Sequence, residues 1–551
     1  NTNWYDELIR DWAPMWQHNI AVRGGSEKIK YYGYFGYENQ GTLWKKSGSN
    51  YNRYNLMSNV DAKISDNFSL QLDLYSSVGN RKYPPRMAST TATKTAAWED
   101  FWRTLPTYPA QLPDPEKNSF ADGGGTGGAQ MTTSTDIAGY AKSISQDLRG
   151  TMALTYQSHA VEGLSAKIFM NYAQNYTTGT IFEKPYKYFT YDYATQTYTQ
   201  AGSYNARANM TVTDTKSRTV TGQLSLNYDK TIAKDHHLRV LALYEAIDYY
   251  NDYLSARRLD FLTDAIDQLY AGSLTGMSNN GSASEMGRAS YVGRLNYSYK
   301  DKYLLESSLR ADASAKFPAN ERWGYFPSIS LGWRLTEENF MKGIANLDEL
   351  KLRASYGTSG DDGVGNFQYL TGYQIASSGV TGLSYLFGSD GSVPALLSKG
   401  LANPNLTWEK IKIYNAGFEF SLWKGKLYGT GDVFYREETG IPATAITTLP
   451  ASFGATLPPQ NLNSLNNRGF ELELGTSGRY GDLVWNVSGN ISWSRSKWMH
   501  YEEPDYDNDP QQKRISQKSG RWTDEVYGYL TDGLFTSQKE IDDLGFNQDG
   551  N

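Results

Sequence analysis

The sequence predicts an all-β fold, a transmembrane antiparallel β-barrel. Three observations predict it: strand-length runs of period-two alternation, connections that largely alternate short with long, and a high content of aromatic residues. No run approaches the ~20 consecutive apolar residues of a membrane-crossing helix. The mean hydropathy of −0.60 does not argue against membrane residence, because a transmembrane strand needs only about 9–11 tilted residues with every second one facing lipid.

The alternation is clearest over 291–300. Tyr291, Gly293, Leu295, Tyr297 and Tyr299 share one face, and Val292, Arg294, Asn296, Ser298 and Lys300 share the other. After a tight connection at Asp301, Tyr303, Leu305, Leu309 and Ala311 oppose Glu306, Ser308, Arg310 and Asp312. The pattern recurs at Leu70, Leu72 and Leu74, at Phe418, Phe420 and Leu422, at Phe470, Leu472 and Leu474, and at Trp485, Val487, Ile491 and Trp493. Short connections are expected near 25–28, 65–66, 158–163, 231–236, 300–302, 424–426 and 479–482, on the periplasmic side. Long outer loops are expected near 40–52, 80–145, 177–217, 249–288, 357–405, 437–467 and 496–525, with a medium one at 314–323. One inner connection, about 337–347, is longer and suits a short helix over Glu337–Lys342. The count is roughly 16–17 strands, the last starting near Val526.

The 43 Tyr, 20 Phe and 14 Trp cluster toward strand ends, where a ring with one polar edge suits the membrane interface. Cysteine is absent, which excludes disulfides, thiolate metal sites and cysteine nucleophiles. With 53 Lys+Arg against 59 Asp+Glu, a net −6, no basic excess exists for a phosphate backbone, so nucleic acid is not an expected partner. GxSxG, HExxH and CxxC are all missing, and neither enzyme activity nor a cofactor or metal is expected. Asp122–Gly128 formally contains GxGxxG but lacks the preceding parallel strand that a dinucleotide site needs, so it reads as a loop.

Several strings resemble the SusC/RagA family of TonB-dependent transporters. They are Arg322-Trp323-Gly324-Tyr325-Phe326-Pro327 running into 328–337, Leu350–Gly360, Asn403–Lys410, Asn467–Leu474 and Tyr54–Ile64, in that family's order and spacing. The resemblance spans nearly the whole chain, from Trp12–Asn19 to Asp532–Phe535. It implies a plugged barrel of about 22 strands in the cell outer membrane, in contact with lipid and lipopolysaccharide. It further implies a SusD-like surface lipoprotein as lid, energy from the TonB complex, and pairing of two barrel–lid units. On this reading residues 1–551 are a partial barrel, without the plug and the last strands. The implied function is import of oligosaccharides, with oligopeptide import of the RagA type as the alternative and a barrel enzyme or passive porin behind both.

Substrate contacts are expected from aromatic residues of the outer loops. Trp98, Trp102 and Tyr108 surround Glu99 and Asp100, a combination in which rings stack on sugar faces and carboxylates accept from hydroxyls. Trp98 and Trp102, four residues apart, equally suit the apolar stripe of a loop helix. Tyr369, Tyr373 and Tyr385, with Asp361 and Asp362, form a second candidate group. Inward charges such as Arg294, Glu306, Arg310, Asp312 and Arg353 are expected mainly to pair with one another or with a plug. The acids Glu502, Glu503, Asp505, Asp507 and Asp509 offer oxygen ligands, but lack the turn glycine and terminal Glu of a calcium loop, and read as a solvated loop.

Overall fold

The computed structural model describes residues 1–85, 90–91, 94–120, 134–375, 384–386, 392–447, 449–528, 530–531 and 533–545. The chain divides into two compact units, one of residues 1–333 with 362–369 and one of residues 334–361 with 370–551.

The first unit is an antiparallel meander of eleven strands: β1 (Met15–Gly25), β2 (Ile29–Gln40), β3 (Asn50–Lys63), β4 (Phe68–Tyr83), β5 (Gly139–Gln157), β6 (Leu164–Glu183), β7 (Asn209–Ile232), β8 (His236–Leu259), β9 (Ser273–Tyr299), β10 (Tyr303–Ser314) and β11 (Trp323–Arg334). The second unit carries five more: β12 (Leu347–Asp361), β13 (Glu409–Leu422), β14 (Leu427–Thr444), β15 (Pro459–Tyr480) and β16 (Leu483–His500). Each strand within a unit pairs with its sequence neighbour, the arrangement that short hairpins impose.

The register lines up the apolar faces. Across the first unit Leu74, Leu72 and Leu70 of β4 oppose Gly150, Met152 and Leu154 of β5. On β11 the apolar face reads Trp323, Tyr325, Pro327, Ile329, Leu331, Trp333. Trp323 stacks toward Tyr291 at 5.9 Å, and Trp333 toward Tyr303 at 6.5 Å. Two aromatic rows thus stand ten residues apart, roughly 33 Å along the strand, which a tilt of about 40° reduces to about the 25 Å height of an outer-membrane apolar band. Tyr325 (66%) and Leu331 (54%) are exposed within it, so the described residues leave this face uncovered.

The opposite face is polar and internally paired. Arg294 donates to Glu306 at 2.8 Å and Arg310 to Asp312 at 2.9 Å in the first unit. In the second unit Glu419 lies 3.3 Å from both Lys351 and Arg353, and Arg353 also reaches Asp432. These pairs are partly solvated, so each contributes little stability, but together they neutralise a charged wall.

Three features differ from the sequence expectations. The strands on either side of the expected 177–217 and 249–288 loops run on well past the apolar band, to Glu183 and from Asn209, and to Leu259 and from Ser273. Over 274–285 every residue of the extension is exposed, so it carries no period-two signal, whereas beside 209 the extensions bury Phe182 and Met210. The inner connection at 335–346 holds a 3-10 turn (Leu335–Glu337) rather than a helix over 337–342. The segment after β16 joins its edge through a bridge between Lys497 and Trp522, not a strand from Val526.

Candidate functional site

The long-connection end of the first unit is built on a small apolar cluster. Helix α1 (Trp4–Leu8) starts where the Asn3 side chain accepts the Tyr5 N–H at 3.2 Å. Its Trp4 and Leu8, one turn apart, are buried with Ile9 and Trp44. Helix α2 (Ala96–Arg103) has good helix-forming alanines at its start and an arginine in its last turn, where the macrodipole favours a cation. It lays Trp98 and Phe101 against Trp44, with ring centroids 4.9 and 6.0 Å away.

A cleft of about 640 Å³ opens beside this cluster, lined by Gln40, Trp44, Tyr51, Arg81, Tyr83 and Trp98 among others. Gln40, Tyr51 and Arg81 lie directly across from one another at the ends of β2, β3 and β4, on the polar face. The Arg81 guanidinium sits 4.7 Å from the Tyr83 ring, and the Lys82 ammonium 5.2 Å from the Tyr140 ring. Neither cation has an ion-pair partner among the described residues. Flat rings, an amide and the Arg81 guanidinium converging on one cleft suit a polar, oxygen-rich oligomer, while Lys82, next along β4, points to the opposite face.

Of the expected contact residues, Trp98 lines this cleft while completing the apolar packing, so both readings of it apply. Trp102 meets Phe101 edge-on at 5.5 Å and leaves 79% of itself exposed. Tyr108 packs on the same cluster, edge-on to Phe120 at 5.8 Å, and its carbonyl accepts the Thr2 hydroxyl at 2.5 Å. The side chains of Glu99, Asp100 and Tyr385 and the whole of Asp122–Gly128 lie outside the described residues.

Asp362 is turned away from solvent, 2% exposed. It accepts from Arg288 through two nitrogens and from Ser314 at 2.7 Å, while Lys316 donates to its carbonyl at 2.8 Å. Burial would push this carboxyl up, but the hydrogen bonds from Arg288 and Ser314 and the charge of Lys316 outweigh it and hold it below the usual carboxylate range. Tyr369 meets Phe367 at 6.4 Å in the first unit. In the second, Tyr373 is exposed at the start of a short hairpin with 396–398, and Asp361 ends β12 opposite Glu409.

The acidic run ties backbone: Glu502 accepts the Ile446 N–H at 3.1 Å, and the other placed acids serve their own loop. Glu503 accepts the backbone N–H groups of Lys518 and Ser519, Asp509 caps the helix Pro510–Ser516, and Asp507 pairs with Lys513 at 2.6 Å. Among the described residues no group of three or more His, Asp or Glu side chains is placed to hold a metal ion.

Sequence reading missed Trp44, Tyr51, Arg81 and Tyr83. For Tyr51, Arg81 and Tyr83 the available signal was their position at strand ends, on the polar parity, bordering the loops expected at 40–52 and 80–145. The need for Trp44 to meet Trp98 across 54 positions left no local trace.

The profile of the family described as TonB dependent receptor-like, beta-barrel, matches residues 112–537. The chain belongs to this family. It is an outer-membrane β-barrel chain, and its apolar face is the lipid-facing one. The TonB-dependent receptor SusC of Bacteroides thetaiotaomicron is 25% identical over 99% of the chain and 53% of its own length. A TonB-dependent receptor of Formosa agariphila is 25% identical over 90% of the chain and 47% of its own length. Among solved structures, the RagAB peptide importer in its open-open state superposes with a TM-score of 0.73 at 19% identity, over 91% of this chain and 52% of that one. The chain therefore spans about half the length of the proteins it matches.

Proposed function

We propose that these residues form the barrel part of a longer TonB-dependent importer that carries an oligosaccharide across the outer membrane, together with a SusD-like surface lipoprotein. The plug and remaining strands belong to the rest of that chain, and two such barrel–lid units pair. The observation carrying this reading is the cleft at the long-loop end, where Trp44, Tyr51, Tyr83 and Trp98 supply flat rings while Gln40 and Arg81 supply hydrogen-bond donors. The paired charges on the inward face support a wall built for water and a plug rather than for chemistry, and no catalytic step is assigned.

Oligopeptide import is the second reading, favoured by the likeness to the RagAB peptide importer and by the Arg81 guanidinium in the cleft, a group suited to a peptide carboxylate. Calorimetry of the full-length protein, purified with its co-eluting lipoprotein, against panels of both oligomers tests the proposal. Saturable binding of one glycan class, lost without the lipoprotein, is the expected result. Peptide binding alone would transfer the assignment to the second reading, and binding of neither would defeat both.

A further inference from the structure

The lipid-facing surface of the second unit changes character abruptly at its outer edge. Its aromatic row runs Tyr356, Tyr414, Tyr435 across β12, β13 and β14, with neighbouring rings 5.0 and 6.4 Å apart. In register, the same row continues as Arg468 on β15 and Arg495 on β16. One step toward the membrane, Phe470 opposes Trp493; one step outward, Asn466 opposes Lys497. Period-two alternation puts all of these on the lipid-facing side. The cations therefore stand at headgroup height, immediately above the apolar band.

Their arrangement is unfavourable unless an anion joins it. Arg468 and Arg495 are directly opposite on adjacent strands, where like charges repel. The Trp522 ring lies 4.7 Å from the Arg468 guanidinium, 4.5 Å from that of Arg495 and 6.0 Å from the Lys497 ammonium, gathering all three round one aromatic ring. Asp524 takes the Arg495 Nε at 3.0 Å. Arg468 and Lys497 have no ion-pair partner among the described residues, and Glu437, the adjacent acid on this surface, is paired with Lys412 at 3.6 Å. Three cations thus face one carboxylate.

We propose that Arg468, Arg495, Lys497 and Trp522 form a seat for a lipid of the outer leaflet whose headgroup carries a phosphate monoester. The guanidinium forks and the ammonium hold the phosphate oxygens. The acyl chains lie on Phe470, Leu472, Ile491 and Trp493 directly beneath, so one molecule satisfies both halves of the surface.

The test is native mass spectrometry of the full-length protein from nanodiscs of phosphatidylcholine with and without phosphatidic acid, the phosphomonoester probe. Wild type should retain phosphatidic acid over phosphatidylcholine, with retention falling as salt rises. R468Q/K497Q should lower that retention about 30-fold, roughly fivefold for each cation removed, while K426Q, at the opposite end of β14, leaves it unchanged. Equal retention of both lipids by wild type would overturn the proposal, as would unaltered retention by a folded R468Q/K497Q variant. Displacement of the lipid by an equal concentration of inorganic phosphate would equally overturn it, since the site would then recognise a free anion. Should the double variant not insert, wild-type lipid preference and its salt dependence still decide the matter.

Discussion

Asp362→Ala tests whether one carboxylate anchors the start of the long loop after β12. In wild type the Asp362 side chain is 1% exposed and joins Arg288, Ser314 and Lys316, so its removal leaves the fully buried Ser314 hydroxyl without its acceptor and Arg288 without its partner. Breaking a buried pair costs about 3–5 kcal/mol. Arg288 is 40% exposed and can recover water, which brings the expected cost to about 3 kcal/mol. That free energy corresponds to roughly a hundredfold rise in local opening. Hydrogen exchange of the amides over 362–369, a stretch also tied to β9 where Asn366 donates to the Glu285 carbonyl at 2.8 Å, is the assay. Exchange should accelerate by about that factor there and stay unchanged in β4–β8. Acceleration of less than about twofold would refute the assignment of Asp362 as the clamp.

The same clamp has a signed pH dependence. The Asp362 carboxyl is held below its ordinary value, so its contribution is fully present above the unfolded pKa near ~3.9 and is lost as pH falls through the lower folded value. With no native cysteine, a spin label on Val364→Cys should stay immobile from pH 7 to about 4 and loosen only below; loosening near pH 6 would contradict this. Trp98→Ala should destabilise the α2 packing by about 2 kcal/mol, less than a fully buried ring because Trp98 is 36% exposed. Trp102→Ala should leave the melting temperature unchanged, and only calorimetry with the cognate oligomer would register its loss. Ile329→Arg, midway between Trp323 and Trp333 on the lipid face, should cost about 2–4 kcal/mol of folding into liposomes, whereas Ser330→Arg on the polar face should cost little; equal costs would invalidate the facing.

What the sequence by itself determined is everything that repeats with period two. The strand faces of 291–300, 303–311 and 485–493 follow from local alternation, because lipid on one side and water on the other act on every residue of a transmembrane strand. The motif strings around Arg322–Pro327 and Asn467–Leu474 placed the family without any coordinates.

Tertiary structure decided what depends on register and on distant partners. That Asp362 faces Arg288 rather than solvent, that Trp44 meets Trp98, and that Arg468 falls opposite Arg495 beside Trp522 are consequences of which strand ends lie side by side. Alternation specifies a residue's face but not its neighbour, and the strand extension over 274–285, exposed on both faces, held no alternation to detect. A chain reads its solvent one residue at a time, but a site is assembled from residues that meet only after the register is set.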